Sequence, residues 1–116
     1  MKEVKAYIRH TMLSKVIEAL EQAGYTDMTL IDVKGITAGL KPEDYHFSLE
    51  LAEKYMNVVK IEIVCADHDA DRIVEIITGL ARTGRKGDGL VYVTPVDRVI
   101  RISTEPGGDA AVQKEF

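Results

Sequence analysis

Tryptophan is absent from this 116-residue chain, and cysteine occurs once. A single cysteine, Cys65, excludes an intrachain disulfide, and its place at the end of an apolar run predicts a reduced, buried thiol. No run approaches the roughly 18 apolar residues of a membrane-spanning helix. The N-terminus lacks the apolar segment of a signal peptide. We therefore expect a cytoplasmic protein.

Basic residues are in a slight minority, with 15 Lys and Arg against 19 Asp and Glu. The resulting net charge of −4 argues against general binding to nucleic acid or to anionic membranes. Hydrophobic residues make up 46% of the chain, which is enough for a core and unlike a disordered composition. The length predicts one domain.

Hydrophobic periodicity predicts strands and helices in the order βαββαβ. Thr11 is the predicted N-cap of the first helix, Gly24 its end, and Asp67 the N-cap of the second helix. The predicted strands lie near Val4–Ile8, Met28–Ile36 and Val58–Cys65, with further β structure at Leu90–Val93 and Val99–Ile102; the helices carry the apolar stripes Leu13, Val16, Ile17, Leu20 and Ile73, Ile76, Ile77, Leu80.

This order is typical of a ferredoxin-like α+β sandwich, in which an antiparallel sheet carries two helices on one face. The second sheet face then needs another cover, because a large apolar face is not left in water. The apolar residues that suggest such a face are Ile31, Val33, Ile61, Ile63 and Ile102. We therefore expect the chain to form an oligomer.

Residues 36–57 join the second and third strands by a connection much longer than a hairpin needs. Connections of that length are usually functional or disordered. Pro42, followed by Glu43 and Asp44, is suited to the first turn of a helix. A helical tendency over Pro42–Tyr55 and a flexible loop without stable structure are both open predictions.

Glycines cluster at Gly84, Gly87 and Gly89, beside Arg85 and Lys86. Glycine allows a backbone to approach a ligand closely and to present its N–H groups to an anion. The P-loop pattern G-x-x-x-x-G-K-[ST] is absent, so this is a candidate phosphate cradle of another kind. The alternative is an ordinary turn, with the nearby Arg101 a surface residue.

The order Thr83-Gly84-x-x-Gly87-Asp88-Gly89, followed by Val93-x-Pro95-Val96-x-x-Val99-Ile100-Arg101-Ile102, resembles the C-terminal signature of the PII signalling-protein family. Val33-Lys34-Gly35 and Val59–Val64 extend the resemblance. It implies a divergent PII-like homotrimer that regulates other proteins and is not an enzyme. It also implies one domain over residues 1–110, a T-loop at 36–57 and a flexible tail at 111–116.

The resemblance further implies that adenine nucleotide binds in the clefts between subunits as a regulatory ligand. It assigns the phosphates to Gly87, Asp88, Gly89 and Arg101, with Thr83 before the loop, and the adenine and ribose to Thr29, Gly35, Glu62 and Val64. The T-loop, with Lys41, Glu43, Tyr45, His46 and Glu50, would contact a target protein, either a membrane transporter or a metabolic enzyme. Neither direct nucleic-acid binding nor membrane insertion is implied.

Departures from the family pattern remove positive charge. Leu90 stands where the family usually has a lysine, Ser103 replaces a second arginine, and Ala38 and Gly39 replace an arginine and a glutamine of the T-loop. Each charge-assisted hydrogen bond contributes about 1.5–3 kcal/mol. We therefore expect ADP or AMP to be favoured over ATP, without 2-oxoglutarate sensing. The alternative is a regulator that senses a metal or another small ligand and binds no nucleotide.

The spacing of Glu43, His46 and Glu50 would place these side chains on one face of a helix, where they suit a divalent metal. An ordinary solvated helix face is the favoured interpretation. No serine or cysteine lies in a recognisable nucleophile motif, which argues against an enzyme.

Overall fold

The computed structural model describes residues 1–34 and 57–103. Predictions made for Gly35, for the T-loop as far as Met56 and for the 111–116 tail lie outside these residues. The described elements are β1 (Lys2–Arg9), a 3₁₀ turn (His10–Met12), α1 (Leu13–Gln22), β2 (Thr29–Lys34), β3 (Asn57–Cys65), α2 (Asp67–Ala81) and β4 (Gly89–Pro95).

The four strands form one antiparallel sheet in the order β2-β3-β1-β4. Ala6 of β1 lies opposite Ile61 of β3 and Val91 of β4. Residues paired across strands lie on the same face, so the register puts alternate residues of β1 and β3 together. The buried members are Val4, Ala6, Ile8, Val59, Ile61 and Ile63, each at most 1% exposed.

Both helices pack on this buried face, which confirms the ferredoxin-like α+β sandwich. Helix α1 contributes Val16 and Leu20 to the core. The stripe predicted for α2 is only half correct, because Ile76 is partly buried and Leu80 is 39% exposed. The buried stripe is Ala70, Ile73, Ile77 and Ala81. Alanine at both ends of this stripe leaves room for the helix to approach the sheet.

The end of α1 is correctly predicted at Gly24, which has a φ of +96°. Its N–H donates to the Glu21 carbonyl at 3.0 Å, and the N–H of Tyr25 donates to the Leu20 carbonyl at 2.9 Å. These two bonds form a Schellman motif. The C″ residue of this motif, Tyr25, is buried with Leu20 in the core.

Two predicted helix caps are wrong. Thr11 lies inside the 3₁₀ turn, and α1 begins after Met12. Asp67 is the first residue of α2, whose N-cap is Ala66. The Asp67 carboxylate instead pairs with the amino group of Met1 at 2.7 Å. That ion pair lowers the pKa of Asp67 and places the negative charge in the first turn, where the helix dipole favours it.

The second sheet face, here called the open face, is more polar than predicted. Ile61 and Ile63 face the helices, because the residues that lie opposite them on β1 belong to the core. The open face instead carries charged and aromatic side chains of β1, β3 and β4. Tyr7 stacks on Tyr92 with ring centroids 6.3 Å apart, and Lys60 lies 5.6 Å from the centre of the Tyr7 ring.

The last predicted β segment is also wrong in part. Of Val99–Ile102, only Ile100 forms β structure, as an isolated bridge. Cys65 is buried as predicted, and this burial raises the pKa of its thiol to about 11. Within the ranges 1–34 and 57–103, the helices are too short or too polar to cross a membrane.

Replacing Gly89 by alanine is expected to destabilise the fold severely. Gly89 has a φ of +101°, and a Cβ there would lie 1.7 Å from the carbonyl oxygen of Tyr7, so β1 and β4 would have to separate. Gly84→Ala is the matched control, because Gly84 also has a positive φ but has nothing within 4 Å of the position that a Cβ would take. In the control, the free energy of unfolding is expected to fall by about 1–2 kcal/mol, which is the cost of placing alanine in the left-handed conformation. Equal losses in urea unfolding would contradict this packing argument.

Candidate functional site

The Gly-rich loop after α2 is held together by one carboxylate. Oδ2 of Asp88 accepts the N–H of Thr83 at 2.8 Å and that of Gly84 at 2.9 Å. Oδ1 accepts the Thr83 hydroxyl and the Nε–H of Arg9, the latter at 3.1 Å. These hydrogen bonds hold the pKa of Asp88 far below its usual range, and the bond from the Thr83 hydroxyl has the largest effect. The Asp88 carboxylate therefore stabilises the conformation of the loop.

Arg9 is a residue of this loop environment that sequence reasoning missed. Its Nη2 donates to the carbonyl of Lys86. A Cβ on Gly87, whose φ is +90°, would lie 3.4 Å from the same nitrogen, so the guanidinium lies against Gly87. The available signal was the alternation of β1, which puts Arg9 on the polar face at the end of the strand. The structure thus brings a cation from β1 to the loop, beside the exposed Arg85 and Lys86.

A second group of predicted residues lies at the β2 and β3 side of the sheet. Thr29 and Glu62 are directly opposite each other, and Val64 follows two residues later on the same face. Nη2 of Arg101 donates to Oδ2 of Asp27 at 2.8 Å. Asp27 precedes Thr29 by two residues, so this contact places Arg101 at the start of β2.

The two groups are separated within one chain. The loop with Thr83, Gly87, Asp88 and Gly89 leads into β4, whereas Thr29 begins β2, and these strands form the opposite edges of the sheet. Three interstrand spacings correspond to about 14 Å. Thr29 and the residues of the Gly-rich loop therefore lie at opposite edges of the sheet in a single copy of the chain, with Glu62 and Val64 on the interior strand β3.

The base of the 35–56 segment carries a cavity of its own. This cavity of about 250 Å³ is lined by His10, Asp32, Val33, Lys34, Asn57 and Val58. Nζ of Lys34 donates to Oδ1 of Asn57 at 3.0 Å, which joins the two ends of the segment. His10 follows Arg9 directly, so the end of β1 contacts both this cavity and the Gly-rich loop.

The remaining candidate residues lie outside the described parts of the chain. They are Gly35 and the T-loop residues Lys41, Glu43, Tyr45, His46 and Glu50. Over residues 1–34 and 57–103, no three His, Cys, Asp or Glu side chains form a cluster that could hold a metal ion.

Comparison with known proteins accounts for nearly the whole chain. Residues 1–106 match the family model described as "Nitrogen regulatory protein P-II". The P-II protein of Azospirillum brasilense is 39% identical over 111 residues, which cover 95% of this chain and 99% of that protein. The "Nitrogen regulatory protein P-II 2" of Methanothermobacter thermautotrophicus is 41% identical, with 97% of each chain covered.

A solved structure, Arabidopsis thaliana PII bound to citrate, has the same fold with a TM-score of 0.79. The two chains are 30% identical, and the match covers 99% of this chain and 92% of the other. The fold and these relatives define a regulatory signalling protein rather than an enzyme. The chain belongs to the P-II family of nitrogen regulatory proteins.

Asp88→Asn is expected to destabilise the protein in a pH-dependent way. The pKa of Asp88 is lowered in the folded state, so its contribution is complete above the unfolded-state pKa of about 3.9 and is lost as pH falls towards the folded-state value. The urea midpoint of the variant should therefore lie below that of the parent at pH 7, and the difference should shrink below about pH 4. Asp97→Asn, a change at an exposed carboxylate, is the control. A difference that is constant with pH would contradict the role assigned to the Asp88 charge.

Proposed function

We propose that this protein is a homotrimeric signal-transduction protein that binds adenine nucleotide in the clefts between subunits, with ADP or AMP favoured over ATP. It regulates a partner transporter or enzyme through the 36–57 segment. The single observation that supports the cleft most strongly is that Thr29 and the Gly-rich loop lie at opposite edges of one sheet.

A site made from both groups needs two copies of the chain. When one edge of each copy meets the other edge of the next, the contact is heterologous, and such contacts close into a ring when the rotation between copies allows it. Both edges carry exposed apolar side chains that this contact would cover. They are Leu30 and Ile31 on β2, and Leu90 and Val93 on β4.

The charges favour a short phosphate chain. One half of the site has Arg9 at the Gly-rich loop, and the other has Arg101 at the start of β2. Leu90 is 57% exposed and uncharged, so it adds no cation where the family usually has a lysine. A triphosphate would lack charge-assisted hydrogen bonds worth about 1.5–3 kcal/mol each, whereas a monophosphate or diphosphate needs fewer of them.

The end of β1 offers a route from ligand to partner. Arg9 contacts the Gly-rich loop, and the adjacent His10 lines the cavity between Lys34 and Asn57. A ligand that moves Arg9 therefore acts next to the base of the 36–57 segment. If its contacts differ between two conformers of that segment, binding shifts their populations and with them the partner surface.

Calorimetric titration with AMP, ADP and ATP tests the ligand. ADP or AMP should bind, ATP should bind more weakly, and 2-oxoglutarate with magnesium should add nothing. Gly87→Leu should abolish binding, because a side chain at a φ of +90° strains the loop and pushes against Arg9. Size-exclusion chromatography should show an intact trimer. Tight MgATP and 2-oxoglutarate binding, or retained affinity in Gly87→Leu, would contradict this part of the proposal.

Mixed trimers test whether the site lies between subunits. Glu62→Ala disables the β3 side and Gly87→Leu the loop side, so neither variant alone should bind nucleotide. After joint refolding in equal amounts, roughly a quarter of the clefts pair an intact β3 side with an intact loop, and that fraction of the parent's stoichiometry should return. Absence of any recovery in trimers shown to be mixed by mass spectrometry would place both halves in one subunit.

Deleting residues 40–55 tests the regulatory segment. The shortened chain should remain trimeric and bind nucleotide, because the described core and both sheet edges are unchanged. The full chain is crosslinked to proteins in an extract of its own cells, and the proteins captured with it are identified. The shortened chain should not capture these proteins. Capture of the same proteins by both forms would contradict the role of the segment.

A further inference from the structure

We propose that Asp27 is a charge-selecting residue of the nucleotide site, which disfavours ligands with longer and more negative phosphate chains. This inference rests on the proposed function, because it concerns the ligand of the same cleft. No part of the sequence pattern at residue 27 suggests it. The structure does so by placing the Asp27 carboxylate on the arginine that is the phosphate candidate of the β2 edge.

The contact is close and poorly accessible to water. Oδ2 of Asp27 lies 2.8 Å from Nη2 of Arg101, and both side chains are 11% exposed. Partly buried charges are screened by salt much less than exposed ones. Asp27 also lies two residues before Thr29, the residue assigned to the adenine and ribose. The carboxylate is therefore part of the wall of the proposed cleft.

The carboxylate changes what Arg101 offers to a ligand. The opposite charges of an ion pair largely cancel at the distance of a second phosphate, so the pair attracts that phosphate only weakly. Asp27 therefore partly neutralises Arg101 before any ligand arrives. A phosphate that hydrogen-bonds to the guanidinium must share it with Asp27. Each further negative charge is also repelled by the carboxylate, because like charges interact over several ångströms at low screening.

This selection differs in kind from the missing cations. Leu90 and Ser103 only withhold attraction, and their effect depends on how close a phosphate would have come to a lysine or arginine there. Asp27 adds repulsion, which grows along the series AMP, ADP and ATP. The two effects can be separated experimentally, because Asp27 can be neutralised while Leu90 and Ser103 are left unchanged.

Asp27→Asn is the test, because asparagine keeps the shape and an oxygen acceptor for Arg101 but removes the charge. Titration of the parent and variant trimers with AMP, ADP and ATP should show tighter binding in the variant. The gain should increase along the series, to on the order of tenfold for ATP. Asp71→Asn, at an exposed carboxylate of α2, has the same change in net charge and should leave the ratios of the three affinities unchanged.

Three outcomes would overturn the inference. If all three nucleotides gain or lose affinity equally, or if all bind more weakly, Asp27 serves only to hold Arg101 in place. Should Asp27→Asn not fold, as judged by circular dichroism, Asp27→Ser carries the same expectation of a gain that grows with phosphate charge. Asp27→Glu keeps the charge and should keep the preference for AMP and ADP; loss of that preference is the third contradicting outcome.

The same titrations separate this inference from the function on which it rests. If the parent binds ADP or AMP and the variant has unchanged ratios, only the role of Asp27 is rejected. If neither the parent nor the variants bind any of the three nucleotides, the proposed function is rejected, and charge selection with it.

Discussion

The position of β1 between β3 and β4 is the constraint on which the rest of the molecule depends. Its inward residues Val4, Ala6 and Ile8 lie at the centre of the core against both helices. Its outward residues Tyr7 and Arg9 reach the open face and the Gly-rich loop. Because successive side chains of a strand point to opposite faces, one register fixes the core and the candidate site together.

The same register explains why the loop must enter β4 through a glycine. Gly89 pairs with Ile8, and a Cβ on Gly89 would lie 1.7 Å from the Tyr7 carbonyl oxygen, so any side chain would overlap the backbone of β1. Gly87 has a different reason, because its positive φ lets the chain turn beside the guanidinium of Arg9. One glycine is thus required by strand packing and the other by loop shape, which a sequence pattern of three glycines cannot separate.

Sequence periodicity predicted most of the fold because burial here is one-sided. In β1 and β3 every second residue is apolar and buried, so the strands were correctly located. It was less accurate for α2, where Ile76 and Leu80 extend the apolar arc beyond the part that touches the sheet. Whether Ile76 and Leu80 or Ala70 and Ala81 are buried depends on how closely the helix approaches the sheet. That distance is set by tertiary packing and cannot be inferred from the local sequence. The caps at Thr11 and Asp67 failed because a hydroxyl or carboxylate near a helix start is suitable but not sufficient.

The Gly-rich loop was found from sequence, whereas the two arginine–carboxylate pairs of the candidate site were not. Arg9 and Asp88 are 79 residues apart, and Asp27 and Arg101 are 74 apart, so local spacing carries no sign of either contact.

These pairs alter the chemistry expected of the site. A free arginine attracts any anion, but an arginine that already holds a carboxylate exchanges one anion for another, or shares itself between them. Asp88 also accepts hydrogen bonds from the N–H groups of Thr83 and Gly84 in the loop, so the Asp88–Arg9 pair is held rigidly. Asp27 lies in the connection between α1 and β2, at the opposite edge of the sheet. In the proposed cleft, the selectivity among anions would come from Asp27 and Arg101, while the Gly-rich loop would supply a fixed shape.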